Sequence, residues 1–206
     1  MTYNAKEHWD SIYQTKAPDE ASWYQKKPKT SLALIAETGL DKDSMIIDIG
    51  AGDSKLVDNL LDAGYKNITV LDVSSAALKK AKKRLKDKSN IVKWVVCDLR
   101  EFETSDRYDL WHDRAVLHFL TAERDIKKYV DSATRFLKPR GYLIISAFSV
   151  NGPKRCSGLD VRQYSEDSMK KLFSGFEHIK SFEEKHITPG DTEQIFLYSV
   201  FRKKEK

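Results

Sequence analysis

Short apolar runs alternate with segments of helical period between residue 45 and residue 148. The runs cover residues 45–49, 68–72, 91–96, 108–112 and 141–148. Short, nearly continuous apolar runs are typical of strands that are buried on both faces of a parallel sheet. Strands that alternate with helices predict an α/β fold, a doubly wound sheet with helices on both faces.

Capping and breaking residues mark the ends of the helical segments. Ser74 is a suitable N-cap for the lysine-rich stretch that follows the second run, and Gly39 is a suitable stop for the helix before the first run. The predicted helices cover residues 30–39, 54–64 and 165–173, with two more that begin after Ser74 and at Thr121.

Two further strand-like runs lie near the end of the chain, at residues 176–184 and 193–201. The segment Thr-Pro-Gly-Asp at residues 188–191 separates them, and this is a strong turn signal. The two runs therefore predict a C-terminal antiparallel hairpin.

The composition limits the classes of protein to consider. With 206 residues, one domain with a full core is expected. Charged residues make up 33% of the chain and the net charge is +5. The lysines of residues 79–88 alternate with apolar residues at helical spacing, which favours a solvated helix face over a nucleic-acid surface. A nucleic-acid partner is therefore not expected. A membrane is not expected either, because no apolar segment approaches membrane-spanning length.

Cys97 and Cys156 give neither a disulfide framework nor a metal-binding spacing, so no metal site is expected. The polar N-terminus lacks the apolar core of a signal peptide. These features favour a cytoplasmic enzyme and leave the oligomeric state open.

The first apolar run passes into a helix through Gly50-Ala51-Gly52. A strand, a glycine turn and a helix place backbone N–H groups at the strand's carboxyl tip, where small residues let a ligand approach. A dinucleotide site needs Gly-x-Gly-x-x-Gly, and Lys55 stands at the third glycine position. A nicotinamide oxidoreductase is therefore disfavoured.

Residues 48–54, Asp-Ile-Gly-Ala-Gly-Asp-Ser, resemble motif I of the class I S-adenosylmethionine-dependent methyltransferases, Asp/Glu-x-Gly-x-Gly-x-Gly. Ser54 replaces the last glycine. Residues 137–141 resemble that family's turn into strand five, usually Leu-Lys-Pro-Gly-Gly, with Arg140 as a departure. The resemblance implies a seven-stranded sheet of order 3-2-1-4-5-7-6, with S-adenosyl-L-methionine as cofactor and S-adenosyl-L-homocysteine as product.

The acidic residue at the tip of the second strand, Asp72, suits the two hydroxyls of a ribose. The resemblance implies that a side chain after the third strand meets the adenine amino group. The residues expected to bind the cofactor are Trp9, Tyr13, Trp23, Asp48, Gly50, Ala51, Gly52, Ser54, Asp72, Val73, Asp98 and Leu99.

We divide the chain into an N-terminal arm at residues 1–28, a methyltransferase domain at residues 29–201 and a basic tail at residues 202–206. The arm carries Trp-Asp-x-x-Tyr at residues 9–13, and arms of this type cover the cofactor in several methyltransferase branches. An aromatic face near a sulfonium cation is worth about 0.5–2 kcal/mol. The alternative is an arm that only packs its aromatic residues onto the domain.

The catalytic candidates lie after the fourth strand, in Trp-His-Asp-Arg-Ala-Val-Leu-His-Phe at residues 111–119. Ligands of open α/β sheets bind at this edge. The candidates are His112, Asp113, Arg114 and His118, with ion pairing or a structural histidine as the alternatives. A site without a strong base would favour a soft nucleophile, whereas a carboxylate-rich site would favour an amine.

The loop at residues 151–164 follows strand five and is a candidate acceptor loop, in which Arg155, Cys156, Arg162 and Tyr164 could set specificity. Arginines there would suit an anionic acceptor. Methyl transfer by direct displacement to a small-molecule acceptor is the leading hypothesis. A protein-lysine methyltransferase and a non-catalytic adenosylmethionine-binding module are the alternatives. A nucleic-acid methyltransferase is disfavoured, because no Asn-Pro-Pro-Tyr-like tetrapeptide follows strand four.

Overall fold

A computed structural model of the chain describes residues 4–205. Residues 1–3 of the expected arm and Lys206 of the expected tail lie outside the described residues. The strands are β1 (Met45–Ile49), β2 (Asn67–Asp72), β3 (Val92–Val96), β4 (Tyr108–Arg114), β5 (Leu137–Phe148), β6 (Arg155–Cys156), β7 (Leu159–Asp160), β8 (Phe176–Ile187) and β9 (Glu193–Lys203). Seven of them form one sheet in the order β3-β2-β1-β4-β5-β9-β8. Because β8 and β9 are the sixth and seventh strands of this sheet, its order is the 3-2-1-4-5-7-6 that the resemblance implies, and both that order and the predicted C-terminal hairpin are confirmed.

Six α-helices occur in the described part of the chain. They are α1 (Ala5–Thr15), α2 (Lys29–Glu37), α3 (Leu56–Asp62), α4 (Ser75–Leu85), α5 (Glu123–Phe136) and α6 (Glu166–Leu172). Helices α2, α3 and α4 contribute to the core on one face of the sheet, and α5 and α6 to the core on the other. Consecutive β1 residues alternate between the two cores, as the pleat requires.

The parallel strands reverse their spatial order at β1. This strand pairs in parallel with β2 on one side and with β4 on the other. A crevice forms at such a reversal, beyond the carboxyl ends of the strands. The ends of β1, β2 and β4 therefore mark where a ligand binds in this topology.

The structure extends or adds to several predicted elements. β4 continues to Arg114, and β5 already begins at Leu137, where it pairs with Tyr108. The predicted loop at residues 151–164 contains the small hairpin of β6 and β7. Between residues 4 and 205, every helix is too short or too polar to cross a membrane.

Candidate active site

One cavity lies at the carboxyl ends of the parallel strands. Its volume is about 230 Å³, which is room for a small organic ligand rather than for single waters. We call the part at the tips of β2 and β3 the β2 end and the part at the tips of β4, β5 and β9 the β9 end. The β2 end is lined by Asp72, Val73, Asp98 and Leu99, and the β9 end by Arg114, His118, Phe148, Cys156, Gln194 and Phe196.

The turn after β1 requires glycine at two positions. Gly50 and Gly52 have φ angles of +57° and +58°, a region that L side chains rarely adopt. A Cβ at Gly50 would lie 1.9 Å from Cγ2 of Val116, and one at Gly52 would lie 2.1 Å from the hydroxyl of Tyr13. The glycine turn therefore packs between the segment after β4 and helix α1, at a distance that only glycine permits.

The buried carboxylate of Asp72 organises the glycine turn. It accepts the N–H of Gly52 at 2.8 Å through Oδ2 and the N–H of Ser74 at 2.7 Å through Oδ1. Burial raises the pKa of Asp72 to about 6 in spite of these two bonds. Each oxygen keeps a second acceptor position, so the carboxylate can still accept donors from a ligand in the cavity.

The tip of β3 presents a second carboxylate, which is already paired. Asp98 accepts both the backbone N–H and the guanidinium Nε of Arg100 at 2.9 Å. Arg100 also donates to Asp125, at 3.2 Å. Burial disfavours the charge on Asp98, but the bonds from Arg100 prevail and lower its pKa. Asp98, Arg100 and Asp125 therefore satisfy one another.

Aromatic rings from the N-terminal arm line the cavity. Trp9, Tyr13 and Trp23 all face it. The Trp23 ring centroid lies 5.8 Å from that of Trp9 and 5.8 Å from that of Tyr13. Phe119, beyond β4, lies 5.0 Å from Trp9 and completes the group. The described part of the arm thus contributes walls to the cavity.

Asp10 attaches helix α1 to the N-terminus of α4. Its Oδ1 accepts the hydroxyl of Ser74 at 2.7 Å and the N–H of Ala76 at 3.0 Å. Burial opposes ionisation of Asp10, but hydrogen bonds from Lys6, Ala76 and Ser74 outweigh it and lower its pKa to about 2. A negative charge is favoured at a helix N-terminus, so Asp10 is a charged anchor for the arm.

His112 lies in a buried hydrogen-bonded chain and does not line the cavity. Its Nδ1 is 2.7 Å from Oδ1 of Asp48, and its Nε2 is 2.9 Å from Oγ of Ser31. The connectivity resembles a hydrolase triad, but all three side chains are buried and none lines the cavity. These hydrogen bonds connect β4 to β1 and to α2.

Asp113 is fully buried and holds the turn that follows β4. Its carboxylate accepts the N–H groups of Val116 at 2.8 Å and Leu117 at 3.1 Å, and the hydroxyl of Tyr129 at 2.7 Å. Burial raises its pKa to about 6. The turn contains Ala115 at a φ of +77°, a strained conformation for alanine. Asp113 thus positions residues that line the cavity without lining it itself.

The β9 end combines an aromatic surface with one cation. Phe148 of β5 pairs in register with Phe196 of β9, and their ring centroids lie 4.7 Å apart. The His118 ring stacks on Phe148 at 4.2 Å. The guanidinium carbon of Arg114 lies 5.4 Å from the Phe196 ring centroid, and Nη1 donates to the carbonyl of Trp23 at 2.8 Å.

Buried polar atoms at the β9 end lack partners. Nε of Arg114, Nε2 of His118 and Oε1 of Gln194 have no hydrogen bond within residues 4–205. His118 Nδ1 accepts the N–H of Phe148 at 3.3 Å, so the neutral ring carries its proton on Nε2. Burial, reinforced by the charge of Arg114, lowers the pKa of His118 to about 3. His118 is therefore a neutral hydrogen-bond donor.

The loop at residues 151–164 contributes Cys156 to the cavity but neither of its arginines. Arg155 pairs with Asp160 at 3.1 Å, and Arg162 pairs with Glu123. Tyr164 is buried and also lies outside the cavity lining. The cation at the β9 end comes from β4 instead of from this loop.

The predicted cofactor-binding and catalytic residues fall into two groups. Those that line the cavity are Trp9, Tyr13, Trp23, Gly50, Asp72, Val73, Asp98, Leu99, Arg114 and His118. Those outside the lining are Asp48, Ala51, Gly52, Ser54, His112 and Asp113, which belong to the glycine turn and to the networks beside it.

Sequence reasoning missed several lining residues, namely Val116, Phe119, Phe148, Gln194 and Phe196. Phe119 closes the stretch that was singled out after strand four, so its place in that stretch was an available signal. Gln194 and Phe196 come from β9, and only the pairing of β9 with β5 brings them to this edge.

Comparisons with known proteins agree with this geometry. Residues 46–141 match a family model described as "Methyltransferase domain". Nodulation protein S of Rhizobium fredii is 33% identical over 87 residues, which are 42% of this chain and 49% of that protein. EEF1A lysine methyltransferase 2 of Homo sapiens is 23% identical over 161 residues, 69% of this chain and 66% of that protein. The chain thus covers about half of the nodulation protein's length.

A solved structure shares the fold over nearly the whole chain. N-methyltransferase NodS from Bradyrhizobium japonicum WM9, in complex with S-adenosyl-L-homocysteine, superposes with a TM-score of 0.72 at 17% identity. The superposition covers 96% of this chain and 100% of that chain.

Proposed function

We propose that this chain is a class I S-adenosylmethionine-dependent methyltransferase that transfers the methyl group of adenosylmethionine to a small-molecule acceptor. The observation that carries the proposal is one continuous cavity that joins Asp72 and the glycine turn to the aromatic β9 end. A direct displacement needs both reactants in one space and in line, which a continuous cavity provides.

The β2 end fits adenosylmethionine. The open acceptor positions of Asp72 suit the two ribose hydroxyls, and Val73 and Leu99 offer apolar surface to the adenine. The faces of Trp9 and Tyr13 suit a sulfonium cation. When bound, the cofactor supplies an electrophilic methyl group with sulfur as a good leaving group.

We assign the catalytic candidates to two roles. His112 and Asp113 are positioning residues, because the first supports Asp48 beside the glycine turn and the second holds the turn at residues 115–117. Arg114 and His118 contact the acceptor, because both line the β9 end. With its low pKa, His118 is a donor there and not a base.

Of the two alternatives, one is supported by a specific observation. A protein-lysine acceptor is supported by the likeness to EEF1A lysine methyltransferase 2. It is disfavoured by Arg114, whose charge would repel a lysine ammonium at the β9 end. A non-catalytic adenosylmethionine-binding module would keep the β2 end and show no turnover.

We further propose that residues 5–28 act as a lid, since Trp9, Tyr13 and Trp23 face the cavity while Asp10 fastens α1 to α4. Proteolysis within residues 16–28 that adenosylhomocysteine fails to slow would contradict this role. A cytoplasmic location is also proposed, because Cys97 and Cys156 are free thiols. Cell fractionation tests that location.

The proposed function is tested with methyl-labelled adenosylmethionine. The protein is incubated with a small-molecule extract and, separately, with the protein fraction of the same cells, with Asp72→Ala as the control. Label in the small-molecule fraction that depends on Asp72 is the expected result. Label confined to protein lysine would favour the first alternative, and cofactor binding without transfer to either fraction would favour the second.

A further inference from the structure

The charged groups that line the cavity are distributed unequally between its two ends. The lining carboxylates are Asp72, Asp98 and Asp125, and all of them lie at the β2 end or beside Arg100. The β9 end carries Arg114, and no carboxylate within residues 4–205 lies at ion-pair distance from it. An unpaired guanidinium in an enclosed site favours a negatively charged ligand.

We propose that the β9 end binds a small organic anion with an apolar, preferably aromatic body, whose charged oxygen or sulfur meets Arg114. This inference rests on the proposed function and specifies its acceptor.

The unpaired donors converge on the same surface. Arg114 lies over the Phe196 ring, and His118 stacks on Phe148, the residue that pairs with Phe196. Their buried N–H groups, Nε and Nε2, have no partner among the described residues. Gln194 lies two residues from Phe196 and hence on the same face of β9. The buried oxygen Oε1 of its amide also has no hydrogen-bond partner among the described residues. The N–H groups of Arg114 and His118 are satisfied when an anionic acceptor binds, whereas the Gln194 oxygen is itself an acceptor and needs a donor from the body of the ligand.

The aromatic surface determines which kind of organic group fits beside the charge of the ligand. Phe148, Phe196 and Phe119 offer ring faces beside the donors, and rings prefer edge or offset contacts with other rings. A single charge on a planar apolar body therefore matches both parts of the β9 end.

An anionic acceptor also removes the need for a base. The acceptor's lone pair forms the new bond to the methyl carbon, the bond from that carbon to the sulfonium sulfur breaks with its electron pair passing to sulfur, and no proton changes place. This suits an end of the cavity whose histidine stays neutral and already accepts a backbone N–H at Nδ1.

The test is calorimetric titration of the adenosylhomocysteine-saturated protein with benzoate, benzyl alcohol and benzylamine, which share a ring and differ in charge. We expect benzoate to bind about tenfold or more tightly than the other two, because a charge-assisted hydrogen bond is stronger than a neutral one. Arg114→Gln should abolish this preference, and Arg114→Lys should keep part of it. Arg135→Gln, which removes an exposed charge outside the cavity, should leave it unchanged.

The outcomes separate this inference from the proposed function. A preference for benzylamine, equal affinity for all three probes, or no binding of any probe while adenosylhomocysteine binds overturns the anion inference alone. Failure of adenosylhomocysteine itself to bind overturns the proposed function.

Arg114 could instead serve the carboxylate of the cofactor, and 5′-methylthioadenosine, which lacks the amino acid part, decides this. If Arg114→Gln weakens adenosylhomocysteine but not methylthioadenosine and leaves benzoate unaffected, Arg114 belongs to the cofactor and the inference is overturned.

Discussion

The two ends of the cavity differ in how completely their polar groups are satisfied. At the β2 end, Asp72 accepts two backbone N–H groups and Asp98 is paired with Arg100. At the β9 end, Arg114, His118 and Gln194 keep buried atoms without partners in the described chain. Unpaired buried groups are costly, so they mark a place that a ligand completes. On the proposed function, the cofactor site is preformed, whereas the acceptor site is completed by its substrate.

The largest effect is expected at Gly50, which packs against Val116. Gly50→Ala would drive a Cβ into Val116 at a positive φ, whereas Gly39→Ala meets a similar φ of +68° with nothing within 4 Å. We expect Gly39→Ala to lower the free energy of unfolding by about 1 kcal/mol through strain alone. Gly50→Ala should lose about 3 kcal/mol because the collision adds to the strain. Urea denaturation measures both, and equal losses would show that Val116 does not press on the turn.

The second prediction is that a substitution at Asp113 affects the β9 end of the cavity more than the β2 end. Asp113→Asn weakens the bonds that hold the turn at residues 115–117. We expect acceptor kcat/KM to fall about tenfold, while the Kd of adenosylmethionine changes by less than about threefold. Tyr129→Phe, which removes one bond to the same carboxylate, should have a smaller effect of the same kind. A parallel loss of cofactor affinity would mean that the ends are not separable.

The third prediction is a pH dependence confined to the β2 end. In the proposed complex, ribose hydroxyls donate to the ionised form of Asp72, whose pKa is raised to about 6 by burial. Protonation therefore removes the acceptor, so affinity for adenosylmethionine should be constant above pH 7 and about tenfold weaker at pH 5. Calorimetry across this range measures it, with Asp72→Asn expected to flatten the profile. A slope that survives in Asp72→Asn would assign the titration elsewhere, for example to Asp113.

The smallest expected effect concerns the arm. Asp10→Asn keeps an acceptor for Ser74 and Ala76 but removes the negative charge at the N-terminus of α4. This should cost about 0.3–1 kcal/mol of arm docking and weaken cofactor binding up to about threefold. Limited proteolysis within residues 16–28 should accelerate in step. Unchanged proteolysis would show that the charge does not hold the arm.

The sequence predicts those parts of the candidate site whose residues lie close together along the chain. Gly50, Gly52 and Asp72 lie within one strand–turn–helix–strand stretch, so their spacing alone predicts that they meet at the tip of a parallel sheet. Ser74 is the N-cap of α4 in the structure, as the sequence predicts.

The residues that line the β9 end could not be predicted from the sequence in the same way. Its lining comes from β4, β5 and β9, and Gln194 and Phe196 depend on the antiparallel register of β9 on β5. The roles of Asp113 and His112 were equally hidden, because burial and hydrogen-bond partners decide them and neither leaves a periodic signal. The same stretch supplies Arg114 to the cavity and Asp113 to the core, one residue apart, since adjacent strand residues face opposite sides.

The most direct test of the account is calorimetric titration with adenosylmethionine and with NAD, on the wild type and on Asp72→Asn. The account predicts one adenosylmethionine per chain, no binding of NAD, and an affinity at least about thirtyfold lower in Asp72→Asn, since the variant loses a charged acceptor for the ribose. Binding of NAD, no binding of adenosylmethionine, or an Asp72→Asn variant with unchanged affinity would contradict the assignment of the β2 end as a methyltransferase cofactor site.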